Sequence, residues 1–230
     1  MMCPRRPRSA RGTGAQLRAE ILDATRELLA RTGSADTVSI REVSKVVGVS
    51  APSIYRHFAD KDALIDAAVA QVFENLDAAV AAATDPARSP ITRMRDQGMA
   101  YVRFALKHPG QYRVATAGSS ADSPRAVDLV MGSGVFRRFA DTVREAMDAG
   151  TIAPGDPLPV VLELWAAAHG IVSLLIAKPY LPWGDAEAIA DRVLGAACVG
   201  HAVLDIMGGE LPEPDETARW LARLREEKSP

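Results

Sequence analysis

The stretch Val38–Ile65, "VSIREVSKVVGVSAPSIYRHFADKDALI", decides how the rest of the chain is read. Ser39 and Glu42 have the spacing of a capping box, in which the hydroxyl accepts from an orphan N–H and the carboxylate reaches back to the cap. Ile40, Val43 and Val47 then face one way along a short helix. Gly48 stops it, because glycine adopts the left-handed conformation that a helix end requires. Ser50 is placed to cap the next helix, and Pro52 is tolerated in its first turn, where N–H groups lack intrahelical partners. In "APSIYRHF", Ile54 and Phe58 lie four apart on an inner face, and Ser53, Tyr55, Arg56 and His57 fall elsewhere on the surface. Helix, glycine turn, helix is the helix-turn-helix pattern. An apolar side holds the second helix on a bundle, and its polar side is free for a groove and its phosphates.

Charge along the 230 residues agrees with that reading. The whole chain carries a net charge of -2. Up to Lys61 it holds eleven Lys and Arg against six Asp and Glu, a balance of +5, which leaves −7 for the remainder. A basic head on an acidic body suggests that the head alone meets a polyanion. Residues 1–14, with Arg5, Arg6, Arg8 and Arg11, read as a flexible basic arm that could reach a minor groove.

The flanking sequence is helical throughout. Leu17, Ile21, Ala24 and Leu28 recur at helical spacing before Gly33, and Asp60 is placed to cap a fourth helix from Lys61 to about Ala83. Further helices are expected at 91–107, 110–117, 124–149, 158–177, 186–207 and 214–227, each division holding Gly or Pro. No period-two strand pattern stands out. The expected fold is all-α: an N-terminal three-helix helix-turn-helix domain at 15–60, then a larger helical effector-binding and dimerisation domain at 61–230.

These residues resemble the DNA-binding domain of the TetR family of transcriptional regulators. The resemblance covers about Ala15 to Ala68, and its specific part is "SIREVSKVVGVS" followed by "IYRHFADKDAL". It implies DNA-backbone contacts for Tyr55, His57 and Lys61, often also for Ser39 and Arg41, with Ala51, Pro52 and Ser53 facing the bases. Those three residues are small here, so thymine methyls, Arg56 and DNA shape carry more of the readout. With the cap Ser50, these ten positions form the expected DNA-binding set. "YVRFALKHPGQYRV" and "WAAAHGIVSLL" further resemble a subgroup carrying a Trp-x-x-x-His-Gly element, here Trp165, His169 and Gly170.

The resemblance implies a homodimer on near-palindromic double-stranded operator DNA, most simply a repressor released by a small-molecule effector. The expected pocket residues are Met99, Tyr101, Phe104, Tyr112, Met131, Phe136, Trp165 and His169, mostly apolar with a few polar groups. The alternative is a DNA-binding protein without an effector, controlled by a partner protein. The helix at 158–177 is apolar almost all round, and the helix at 186–207 carries Gly195, Ala196, Ala197 and Gly200, which suit close helix packing between subunits. Glu163, His169 and the nearby Pro179 argue for a buried helix over a membrane span. The sequence contains no Gly-x-Ser-x-Gly, His-Glu-x-x-His, Walker loop or Gly-x-Gly-x-x-Gly, so no enzyme activity and no cofactor are expected. Cys198 and His201 are two ligands and make no metal site. Two cysteines and the absence of an apolar run after the N-terminal arginines fit the cytoplasm.

Overall fold

The protein is seen here in a computed structural model that describes residues 13–116, 130–206 and 213–227. The arginines of the basic arm lie outside them. The described residues are helical, with no strand among them. The helices are α1 (Thr13–Thr32), α2 (Ile40–Val47), α3 (Ala51–Tyr55), α4 (Lys61–Ala83), α5 (Pro90–Lys107), α6 (Pro109–Thr116), α7 (Gly134–Asp148), α8 (Pro157–Ala177), α9 (Ala186–Ile206) and α10 (Pro214–Glu227).

Local chemistry sets the first boundaries. Gly33 ends α1 with φ 71°. Ser39 Oγ accepts from Glu42 N at 3.2 Å and the Ser39 N–H donates to Glu42 Oε2 at 3.2 Å, which completes the capping box. Gly48 closes α2 at φ 74°, ψ 32°, and its N–H donates to the Ser44 carbonyl at 2.9 Å. Asp60 caps α4, its Oδ1 accepting from Ala63 N at 2.7 Å.

Two expectations are corrected. Ser50 occupies the cap position of α3, but its side chain caps nothing. Pro52 has no N–H to offer, the Ser53 N–H goes to the Ser50 carbonyl at 2.9 Å, and the Ser50 hydroxyl pairs with Ser53 Oγ instead. The helix expected at 124–149 is not continuous over its described part. Residues 130–131 are helical, the chain turns at Gly132 and Ser133, and Ser133 Oγ accepts from Phe136 N at 3.3 Å to start α7 afresh. Two glycines around a serine favour a stop and a new cap over continued helix. Residues 124–129 lie outside the described part.

One core holds the head together. Ile21, Leu28, Val38, Val43, Ile54 and Phe58 pack with Leu64, Ile65 and Val72 from the first half of α4. The second half of α4 belongs to the body, where Leu76 and Val80 pack with Val102 of α5, Val172 of α8 and Leu194 of α9. Val143 and Met147 of α7, Val161 of α8 and Cys198 of α9 fill a third cluster at the far side of α5. Ion pairs cross between helices at the surface: Arg95 Nε to Asp191 Oδ1 at 2.7 Å, and Arg138 Nε to Asp77 Oδ1 at 3.0 Å.

By length and composition α8 could cross a membrane. Here it packs on α5, α7 and α9 and buries Val161, Ala168, Ile171, Val172 and Leu175. Its other side is uncovered, with Leu162 and Leu174 exposed, and α9 beside it exposes Val199 and Ile206.

Because Gly48 holds a left-handed conformation, Gly48→Ala is expected to lower stability by about 1 kcal/mol. Urea unfolding followed by circular dichroism would measure it, and an unchanged midpoint would contradict this account of the turn.

Candidate DNA-binding surface and effector pocket

The head presents α2 and α3 as a supported pair. Ile54 is fully buried and Phe58 nearly so, which leaves the opposite side of α3 turned outward. Pro52, Tyr55 and Arg56 are exposed, and Ala51, Ser53 and His57 are half-buried. Tyr55 keeps 52% of its surface, so its ring and hydroxyl are accessible. On α2, Arg41 and Lys45 are exposed and Ser39 is half-buried. Lys61 opens α4, and its Nζ donates to the Asp36 carbonyl at 3.1 Å. A phosphate at Lys61 would have to share or replace that bond. The guanidinium of Arg18, itself exposed, sits 5.1 Å over the Phe58 ring and covers it from the surface.

In the body, half of the expected pocket residues meet. Tyr112 Oη lies 3.0 Å from His169 Nδ1 and 2.6 Å from Ser173 Oγ, and Tyr101 Oη lies 3.3 Å from the same histidine nitrogen. The Trp165 ring lies against the His169 ring, tilted by 40° with centroids 5.3 Å apart. Burial lowers the His169 pKa and so favours the neutral ring; it also raises the hydroxyl pKa values of Tyr101 and Tyr112. The cluster is a neutral hydrogen-bonded knot tying α5, α6 and α8. Met99 is buried in the core beside it, and Phe104 rests against His108. Met131 and Phe136 lie elsewhere, in the cluster around α7.

A small apolar cavity of about 20 Å³ in the body is lined by residues that sequence reasoning mostly missed: Met94, Phe139, Val143, Leu164, Leu194 and Cys198, together with Trp165. They come from α5, α7, α8 and α9 at helical spacing, as in Phe139–Val143 and Leu194–Cys198. Trp165 is the one expected pocket residue on this wall, and it also touches the tyrosine–histidine knot. Burial pushes the Cys198 thiol up to about 11, so it is a neutral, apolar part of the lining. No cluster of three or more His, Cys, Asp or Glu able to hold a metal occurs among the described residues.

A helix-turn-helix head on a larger helical body is the architecture of a DNA-binding regulator. Residues 21–68 match the family model of bacterial regulatory proteins of the tetR family, and residues 94–197 match the tetracyclin repressor-like C-terminal domain. The chain belongs to the TetR family of transcription regulators, in which dimerisation and ligand binding are typical. It is similar to nucleoid occlusion factor SlmA of Vibrio cholerae, 25% identical over 151 residues covering 65% of this chain and 76% of that protein. SlmA of Photorhabdus laumondii is 27% identical over 178 residues, covering 74% and 89%. Among solved structures, a protein of unknown function from Rhodococcus sp. RHA1 superposes with a TM-score of 0.66 at 28% identity, covering 81% of this chain and 95% of that one. A TetR family transcription regulator from Marinobacter aquaeolei VT8 superposes with a TM-score of 0.66 at 17% identity, covering 82% and 98%.

The depressed pKa of His169 has a definite sign. In the unfolded chain histidine takes its proton near pH 6.5, before the buried ring does, so folding stability falls as pH drops below that value. His169→Gln is expected to flatten this part of the pH–stability curve. Parallel curves for the two proteins between pH 7 and 5 would rule the assignment out.

Proposed function

We propose that the protein is a ligand-responsive repressor that binds a near-palindromic operator as a homodimer and releases it when a small molecule enters the body. The observation that carries this reading is α6. Its Tyr112 is bonded into the knot that touches the cavity wall at Trp165, and its Val114 is buried in the core of the head. An effector that binds the DNA-competent and incompetent forms differently shifts the population between them. At about 20 Å³ the cavity has room for little more than a water, so an effector entering here has to part the helices; the apolar lining suits an uncharged one, because a buried charge would find no partner among these side chains.

Homodimerisation is supported by the uncovered side of α8 and α9. Leu162, Leu174, Val199 and Ile206 are exposed, and Gly170 and Gly200 have open space where a Cβ would stand. Small outward residues beside apolar ones suit close packing of two helices from each subunit. In this reading residues 15–60 form the DNA-binding unit and 61–230 the effector-binding and dimerisation unit. The arm at 1–14 is the basic lead-in, and the protein acts in the cytoplasm without enzyme activity. Tyr55, His57, Lys61, Ser39 and Arg41 meet phosphates, while Ser50, Ala51, Pro52, Ser53 and Arg56 face the groove. The likeness to nucleoid occlusion factors supports a second reading, in which a partner protein takes the place of the small molecule.

A footprint on the DNA upstream of the protein's own gene, repeated over a salt series, tests the first reading; protection of a near-palindrome is expected. Weak binding without sequence preference would count against it. Tyr55→Ala with Lys61→Ala should weaken binding on all sequences and flatten the salt dependence, since each lost phosphate contact reduces the slope by about 1. Leu174→Arg should convert the dimer to monomer in sedimentation, and an unchanged dimer would remove α8 from the interface.

A further inference from the structure

The recognition helix has few groups able to read a base. Ala51 and Pro52 carry no side-chain donor or acceptor. Ile54 is fully buried and marks the inward direction of α3. At about 100° per residue, the positions most nearly opposite it are 52 and 56, with 53 and 55 on the flanks. Arg56 keeps right-handed helical angles, φ −72° and ψ −19°, so this geometry extends to it. The crest of the helix is therefore Pro52 and Arg56, and Arg56 is the crest residue that can hydrogen-bond.

Arg56 is also held. Ser50 Oγ and Ser53 Oγ lie 2.9 Å apart, and Arg56 Nη2 donates to Ser53 Oγ at 3.2 Å. Released from capping, the two hydroxyls form a polar rail along one side of α3 that ends on the guanidinium. Arg95 and Arg138 of the body are each neutralised by a carboxylate, whereas Arg56 has none within ion-pair distance among the described residues. A guanidinium steadied at one nitrogen keeps further N–H groups in its planar fork, and that fork matches O6 and N7 of guanine in the major groove.

We propose that Arg56 is the specificity-determining residue, oriented by Ser53 to take one guanine in each half-site of the operator. Ala51 and Pro52 then contribute apolar contact to neighbouring bases, and the flanking Tyr55 faces the backbone wall. The proposal rests on the operator-binding reading above and names the base class at which that reading is decided.

Selection from random double-stranded DNA, with the full-length wild-type protein, Arg56→Ala and Ser53→Ala, tests it. Arg56 is exposed, so its variant is expected to fold, and circular dichroism checks this. The wild type should enrich sites with a G·C pair at one symmetry-related position in both half-sites. Arg56→Ala should lose that preference by about 5- to 150-fold, with the other positions retained and the salt slope little changed. Ser53→Ala should narrow the same preference without abolishing it. If Arg56→Ala selects the same sites with uniformly weaker binding and a slope reduced by about 1, Arg56 is a phosphate contact and the proposal is overturned. A wild-type protein that enriches no sequence overturns operator reading as well, which separates the two failures.

Discussion

Tyr112 and Val114 stand two residues apart on α6, and their side chains are buried in different cores. Two positions along a helix point to nearly opposite sides, so this single two-turn element is wedged between head and body. α4 makes the same connection over a longer path, with Leu64 and Val72 in the head and Leu76 and Val80 in the body. The head is therefore not tethered by a linker. Its orientation is a packing property, set by the same kind of contact that holds each core together. A change in the body need not travel far: the knot around His169 is one helix away from α1.

The two ends of the molecule use polar groups in opposite ways. In the knot, Tyr101, Tyr112, His169 and Ser173 hydrogen-bond to one another in a partly buried site and stay uncharged, which ties three helices together. On α3 the polar groups are left at the surface. The same division appears in the charge balance, +5 up to Lys61 and −7 beyond it. The acidic body adds solubility and opposes non-specific attraction of nucleic acid.

The head was legible in sequence because its signals are local. A serine and a glutamate three apart, a glycine after the last apolar residue and a proline in a first turn each act on their own neighbours, and the capping box and the left-handed Gly48 follow directly. Ser50 misled for a reason of equal simplicity: Pro52 removes the N–H that its hydroxyl would have capped. The body was harder. α8 is apolar on nearly every side, so no pattern in its sequence distinguishes the cavity wall from the outer face. Of the aromatic residues, Tyr101 and Tyr112 do converge, but on a polar knot beside the cavity. Residues such as Leu194 and Cys198 line the cavity because four helices happen to converge there, and that convergence is set by side chains distant in sequence.

α6 approaches α1 more closely than a side chain at 110 would allow. A Cβ at Gly110 would come within 2.9 Å of the Ala30 methyl. The close approach depends on the missing side chain: a larger residue at 110 would have to part α6 from α1, and so shift the one short element that enters both cores.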